Sequence, residues 1–408
     1  MLEKAFLIGC LKPRQRRTEA LDSLSELAEL ARSAEAEVVG ETLSDLREPT
    51  PTFLIGRGKV DEIRDLIKSK SIDLVLFDEE LTPAQNQNLE EAWGCKVIDR
   101  TGLILDIFAR RARTREGKIQ VEMAQLSYLL PRLIGKGEQL SRLGGGIGTR
   151  GPGETKLEMD RRRAKEKMHR LAQDLKKVKL TRQGHRGKRE KVPIPLVSLV
   201  GYTNAGKSTL MNRLTEADVL VEDKLFATLD PTVRRLSLPS GREVLLSDTV
   251  GFIKKLPHEL IESFKATFEE IESSDLLLHL IDGSNPHWED QKEAVDEVLE
   301  NLGLSSKPCL TLFNKADLSE EQTGRFVEGL AISAKEGSGM KELLGLIEQE
   351  LARGLTPVRF LFPHSAGRFL SLLYREARVL SVKHLKKGIQ VQAEVGDKAL
   401  KQFHSYRT

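Results

Sequence analysis

Cysteine is scarce in this chain: Cys10, Cys95 and Cys309 are its three cysteines in 408 residues, and no two stand at metal-ligand spacing. That excludes a disulfide framework and a structural zinc site of the CxxC kind, and makes a reducing cytosol the expected compartment. Long apolar runs are also missing. None approaches the roughly 20 residues that cross a bilayer, so no transmembrane segment is expected. The start, Met1–Leu11, has one short apolar patch and reads as a strand, not a signal peptide. With 32 Gly and 15 Pro the chain is not collagen-like, and its 39% hydrophobic content argues against overall disorder. Its length favours two or three domains.

What is present is unevenly charged. The net charge is +3, yet residues 132–191 hold 19 Lys+Arg against 7 Asp+Glu, leaving the remainder acidic. A basic insert in an acidic body suggests a local polyanion contact, most simply nucleic acid; a solvated charged linker is the plainer alternative.

The expected fold is α/β. Residues 1–112 alternate strand-like runs (Ala5–Leu11, Val38–Leu43, Asp73–Phe77, Lys96–Ile98) with helix-like stretches (Thr18–Ala34, Val60–Ser69, Pro83–Trp93, Thr101–Arg111). That order predicts a small domain with a parallel sheet. Asp78, Glu79 and Glu80 follow a strand, where open sheets place ligands, but three adjacent acids read as an exposed turn and are assigned no chemistry. Residues 113–181 then read as a helical hairpin. Ile119, Met123, Leu126, Leu130 and Leu133 form one apolar stripe, and Ala164, Met168, Leu171, Leu175 and Val178 form a second. Pro131 should kink or end the first helix. The loop Gly144–Gly153, GGGIGTRGPG, is flanked by basic residues; Arg142, Arg150, Lys156, Arg161, Arg162 and Arg163 are the candidate RNA contacts. A disordered connector is the competing reading. Residues 182–194 read as a linker.

The strongest chemistry begins at Pro195. An apolar strand runs into Gly201, Tyr202, Thr203, Asn204, Ala205, Gly206, Lys207, Ser208 and Thr209, the G-x-x-x-x-G-K-S phosphate loop in its strand–loop–helix context. Glycines let backbone N–H groups turn inward onto phosphate oxygens. Lys207 would neutralise the β- and γ-phosphates, and the Ser208 hydroxyl would ligate Mg²⁺. Asp248, Thr249, Val250 and Gly251 end another strand; Asp248 would hold Mg²⁺ and the Gly251 N–H would sense the γ-phosphate. Phe226, Ala227, Thr228, Leu229 and Asp230 supply a switch threonine, with Thr228 as metal ligand and Thr232 as its rival. Lys207, Thr228 and Gly251 are the candidate catalytic groups. Asn314, Lys315, Ala316 and Asp317 follow a strand, and Asp317 can accept from both the ring N–H and the exocyclic amine of guanine. Adenine presents the opposite polarity and lacks the second donor. In Ser333, Ala334 and Lys335, the Ala334 N–H would meet the guanine carbonyl. GTP/GDP with Mg²⁺ are therefore the expected ligands. Asn204 either supports a K⁺ ion or makes a local hydrogen bond.

Phe252 stands where Ras-type GTPases place the glutamine that orients the attacking water. Slow unassisted hydrolysis follows, with a partner or a rearranged loop completing the site.

Together GYTNAGKS, FATLDPT, DTVGF and NKAD, with the upstream GGGIGTRGPGETKLEMDRR, resemble the HflX family of translational GTPases over nearly the whole chain. The resemblance implies an N-terminal α/β domain, a helical hairpin and a Ras-like GTPase domain at 195–355. It also implies binding to the large ribosomal subunit and its RNA, ribosome-stimulated hydrolysis, and splitting of stalled or idle ribosomes under stress, with the basic loop near the peptidyl-transferase region. Residues 356–408 read as a small α+β unit, with strands at Val358–Phe362 and Ile389–Val395 and a helix near Arg368–Val379; packing is its expected role and a ribosomal contact the second. A cytoplasmic, ribosome-associated monomer that does not bind DNA is expected. A ribosome-assembly GTPase and a GTP-regulated RNA-binding module are the competing functions.

Overall fold

A computed structural model describes residues 2–46, 49–142, 152–189, 194–215, 225–255, 265–318, 329–353, 355–396, 400 and 403–408. They divide into two compact units: the chain up to Lys179 together with Leu225 and Phe226, and the rest.

The first unit contains the expected parallel sheet. Its strands β1 (Lys4–Leu11), β2 (Glu37–Asp45), β3 (Leu74–Phe77) and β4 (Lys96–Asp99) run in the order β2-β1-β3-β4. β1 and β3 are apolar on both sides because helices cover both faces. From α2 (Arg57–Lys70) and α3 (Pro83–Trp93), Val60, Ile63, Ile67, Leu89 and Trp93 pack on Phe6, Ile8, Val75 and Phe77. On the opposite face Leu24 of α1 (Arg17–Ser33) lies against Gly9. Helix α3 starts on a capping box, with Thr82 and Gln85 bonded reciprocally and Pro83 in the first turn. Helix α4 (Arg100–Arg111) is capped by Asp99, which accepts from the Gly102 N–H at 2.8 Å.

The acids after β3 are not a uniformly exposed turn. Asp78 is buried and accepts from Arg100 at 2.7 Å, and Arg100, itself buried, also pairs with Glu26. Asp99 accepts from the Leu81 N–H, Tyr128 Oη and Arg132 at 3.1, 2.8 and 2.8 Å. These ions are satisfied by one another, and stripping one partner from such a buried pair costs about 3–5 kcal/mol.

Helix α5 (Arg115–Arg142) continues through Pro131, so the helix does not end there. Tertiary packing outweighs the lost backbone bond: besides the anticipated stripe, α5 carries a second face, Val121, Ala124 and Tyr128, and packs on α3 and α4. Helix α6 (Pro152–Arg189) is longer than expected and absorbs most of the supposed linker, through Gly184 and Gly187. Arg182, Gln183, Arg186, Lys188 and Arg189 around the glycines are good helix formers, and each glycine costs only about 1 kcal/mol. The second stripe, Ala164 to Val178, is half-buried throughout.

The second unit holds a six-stranded sheet of β5 (Leu196–Gly201), β6 (Thr232–Ser237), β7 (Glu243–Asp248), β8 (Leu276–Asp282), β9 (Cys309–Asn314) and β10 (Leu330–Ala331). The order is β10-β9-β8-β5-β7-β6, with only β6 antiparallel to its neighbour. Helices α7 (Lys207–Thr215), α8 (Lys265–Glu272), α9 (Trp288–Asn301) and α10 (Met340–Ala352) accompany it. A separate apolar core belongs to β11 (Thr356–Phe362), α11 (Gly367–Glu376), β12 (Arg378–Leu385) and β13 (Gly388–Val395). Here the helix expected to reach Val379 stops at Glu376, and a third strand begins at Arg378. RVLSVKHL carries β-branched valines that pack better on a pleated surface than on a helix.

His279 lies buried on β8, its Nδ1 3.6 Å from Asp296, while Lys292 holds Asp296 at 2.7 Å. Burial drives its pKa down to about 4, against the pull of Asp296. The folded state therefore binds this proton less readily than the unfolded chain, whose histidine titrates near 6.5. Stability from the neutral ring is whole above that value and is lost as pH falls from 6.5 towards 4. Urea unfolding should show a loss of about 3 kcal/mol over that range, which His279→Gln reduces to what the carboxylates contribute.

Candidate functional site

The phosphate loop links β5 to α7. Gly206 has φ +96°, and a Cβ there would collide with the Asn314 amide nitrogen, so both backbone shape and space demand glycine. Lys207 is buried. Its ammonium donates to the Tyr202 and Gly201 carbonyls at 2.7 and 3.0 Å, and burial pushes its pKa down to about 8 although Asp248 opposes the shift. Thr203, Ala205 and Tyr202 are buried in the loop; Asn204 is exposed at φ +61°.

Three oxygens converge beside the lysine. Ser208 Oγ lies 2.8 Å from Asp248 Oδ2 and 2.7 Å from Thr228 Oγ1, and Thr228 reaches the same carboxylate oxygen at 3.1 Å. Asp248 is 1% exposed and its Oδ1 has no hydrogen-bond partner among the described residues. Burial raises its pKa, while Lys207 and the two hydroxyls pull it back. Hard oxygens with an unused carboxylate valence suit Mg²⁺. Of the two candidate threonines, Thr228 makes this contact; Thr232 opens β6, in register with Asp248. Thr249 ties the strand end down by donating to the Leu199 carbonyl at 2.6 Å, with Val250 buried behind it. Leu229 is buried, and Ala227, Asp230 and Thr209 are half-buried. Phe226 is not among these groups: it belongs to the first unit, edge-on to Phe108 with ring centres 4.7 Å apart.

The second cluster is joined to the first by Asn314. Its Nδ2 donates to the Ala205 carbonyl at 2.8 Å, and its Oδ1 accepts from the Ala334 N–H at 2.9 Å. Ser333 Oγ donates to Asp317 at 2.6 Å, and Lys315 pairs with Asp282 at 2.7 Å. Ala316 begins the short 3-10 turn that carries Asp317. Arg213 of α7 donates to the carbonyls of Ala334 and Lys335. Arg213 and Asp282 were not anticipated from the sequence. Asp282 could have been found as the last residue of β8, beside the NKAD strand; Arg213 carried no signal.

The basic residues are less defined. Arg161, Arg162 and Arg163 are exposed on α6, with Arg162 3.2 Å from Glu166. Arg142 and Lys156 lie on described helix backbone without described side chains, and Arg150 and most of the glycine-rich loop lie outside the described residues.

Phe252 is 1% exposed and stacks on Phe268, ring centres 5.8 Å apart and 10° from parallel. Its backbone closes against the phosphate loop: the Thr203 N–H donates to the Phe252 carbonyl at 2.7 Å, and the Phe252 N–H to the Gly201 carbonyl at 3.1 Å. Two residues on, the Lys254 N–H donates to the Tyr202 hydroxyl at 2.7 Å. Gly251 is thereby held beside the loop by bonds on both sides of Phe252.

A mostly parallel sheet that delivers a phosphate loop, a buried aspartate and an Asn-Lys-x-Asp turn to one end defines a P-loop GTPase. Sequence models agree along the chain: residues 21–109 match "GTP-binding GTPase N-terminal", 111–189 "GTP-binding GTPase Middle Region" and 196–315 "50S ribosome-binding GTPase". The chain is 49% identical to the GTPase HflX of Caldanaerobacter subterraneus subsp. tengcongensis, over 96% of this chain and 91% of that one. It is 43% identical to the GTPase HflX of Escherichia coli, over 87% and 85%. The chain belongs to the HflX family: it binds GTP and GDP, hydrolyses GTP, and carries a ribosome-binding type of GTPase domain.

The strap from Tyr202 to Lys254 is testable with one atom. Tyr202→Phe removes the acceptor, worth about 1 kcal/mol, and should speed hydrogen exchange at the Lys254 amide about five-fold in the nucleotide-free protein. An unchanged rate would mean that the strap does not govern this segment.

Proposed function

We propose that this GTPase docks on the large ribosomal subunit in its GTP state, separates the subunits of stalled or idle ribosomes, and leaves after hydrolysis. Ser208, Thr228 and Asp248 would hold Mg²⁺, which neutralises charge between the β- and γ-phosphates, while Lys207 and the loop amides bind the phosphates and Gly251 reads the γ-phosphate. Asp317 would select guanine, and the Ala334 N–H, which donates to Asn314 here, would turn from it to the guanine carbonyl. The exposed Arg161–Arg163 segment of α6, with Arg142, Arg150 and Lys156, would meet ribosomal RNA. The observation that carries this reading is Phe252: its apolar side chain is packed into the core against Phe268, so it does not orient an attacking water. Hydrolysis is then slow until the ribosome supplies or positions what is missing, an assistance worth roughly 10³–10⁵ in rate in comparable systems.

GTP turnover alone, with large subunits and with intact ribosomes, while light scattering follows subunit separation, tests the proposal. Stimulation with nucleotide-dependent splitting is the expected result. Stimulation without splitting would turn the reading towards ribosome assembly, and none with either particle would overturn the partner. Running the assay in Na⁺ and K⁺ also decides whether Asn204 has an ionic role.

The guanine assignment has its own check. Asp317→Asn exchanges an acceptor of two guanine protons for a group with donors, and should weaken GTP by about 3 kcal/mol, roughly 10²-fold, with xanthosine triphosphate affected least. Equal losses for both nucleotides would remove Asp317 from base recognition.

A further inference from the structure

Among the described residues, the small sheet β11-β13-β12 is covered on one face only. Val358, Phe360, Phe362, Val391 and Ala393 face the core with Leu373 of α11 and Phe403. The alternate residues face the other way, and the pairing aligns them in rows: Arg359, Gln392 and Ser381 in one, Leu361, Gln390 and Lys383 in the next. Beyond the second row the β12–β13 hairpin closes through Lys386 and Lys387, between Leu385 and Gly388.

This tip is a concentration of positive charge. Residues 356–408 contain 10 Lys+Arg against 3 Asp+Glu, a surplus comparable in density to that of the helical hairpin. Lys383, His384, Lys386 and Lys387 are all exposed, and none of the three lysines makes an ion pair among the described residues. His364 lies beside them, 3.0 Å from the Leu385 carbonyl. The acid of this sheet, Glu394, pairs in register with Arg378 at the opposite end, about 20 Å along the strand. That is more than two Debye lengths at physiological salt, about 8 Å each, so it does not offset the tip.

Turn geometry does not account for the lysines. Two-residue hairpin loops favour Asn and Gly for positive φ, but neither Lys386 nor Lys387 has positive φ. The geometric demand falls on Gly388, where a Cβ would collide with the Phe362 carbonyl. The lysines repel one another at a position where a neutral turn would serve.

We propose that this hairpin tip and the adjoining Arg359–Gln392 and Gln390–Lys383 rows form a second RNA-binding surface, which grips the phosphate backbone of helical RNA. The rows offer cations, amides and a hydroxyl but no aromatic ring for base stacking, so the grip is on sugar and phosphate, insensitive to sequence and sensitive to salt. The assignment rests on the ribosomal reading above only for where the RNA comes from.

The test compares the full-length protein with K383Q/K386Q/K387Q, bound to a short RNA duplex and to large ribosomal subunits at roughly 50 to 200 mM salt. Each phosphate contact contributes about 0.7–0.9 to the slope of log affinity against log salt, so the variant's slope should be shallower by about 2 on both probes. Thermal unfolding and GTP turnover without ribosomes should not change. An unchanged slope on the duplex overturns the proposal, whatever the subunits do. A shallower slope on the duplex supports it, and if the wild type then fails to bind subunits at all, it is the ribosomal reading that falls.

Discussion

A carboxylate with almost no access to water, Asp248, is the constraint around which the nucleotide site is arranged. Leaving such a group charged inside a protein is costly unless hydrogen bonds and cations surround it. The chain brings the phosphate loop to it through Ser208 and Lys207 and the switch segment through Thr228, while Thr249 anchors the end of its own strand on the Leu199 carbonyl. Loss of any of these polar partners would leave the buried charge less compensated. Asn314 extends the same framework to the guanine side, bonding the phosphate loop with one end of its amide and the Ala334 loop with the other. The phosphate loop and the Asn-Lys-x-Asp turn are thus mechanically joined, with Arg213 of α7 adding a second tie to the Ala334 carbonyl.

The N-terminal unit solves a different problem with similar means. Arg100 and Asp78 are buried as a pair, with the half-buried Glu26 of α1 on the same guanidinium, and Asp99 gathers a helix cap, a tyrosine hydroxyl and Arg132 onto one carboxylate. These networks fasten α4 and α5 to the sheet. They help to explain why α5 continues through Pro131: Arg132, one residue on, donates to the Leu81 carbonyl as well as to Asp99.

Most of this was legible in the sequence. Strands such as Ala5–Leu11 and the phosphate loop depend on local patterns, and local patterns can be read directly. Thr228 was preferred to Thr232 from its spacing after Ser208, and in the fold it is Thr228 that reaches Ser208 and Asp248. Helix ends were misjudged: glycine at 184 and 187 suggests a linker, but neighbouring lysines and arginines carry α6 past both. The strand Arg378–Leu385 was not anticipated, and the helix before it was expected to run on to Val379. Asp78 passed for a surface acid because its partner Arg100 is 22 residues away. What was missed in each case depends on a contact between segments distant in sequence.

The packing of Phe252 also limits what this enzyme can become. A glutamine at that position would lie against Phe268 with its amide cut off from water, a loss of stability of about 1–3 kcal/mol with no catalytic return. Its backbone is bonded to the phosphate loop on both sides, which fixes where the side chain leaves the chain, towards Phe268. A polar substitution at this residue should therefore cost stability first, because the hydrophobic core itself holds the position.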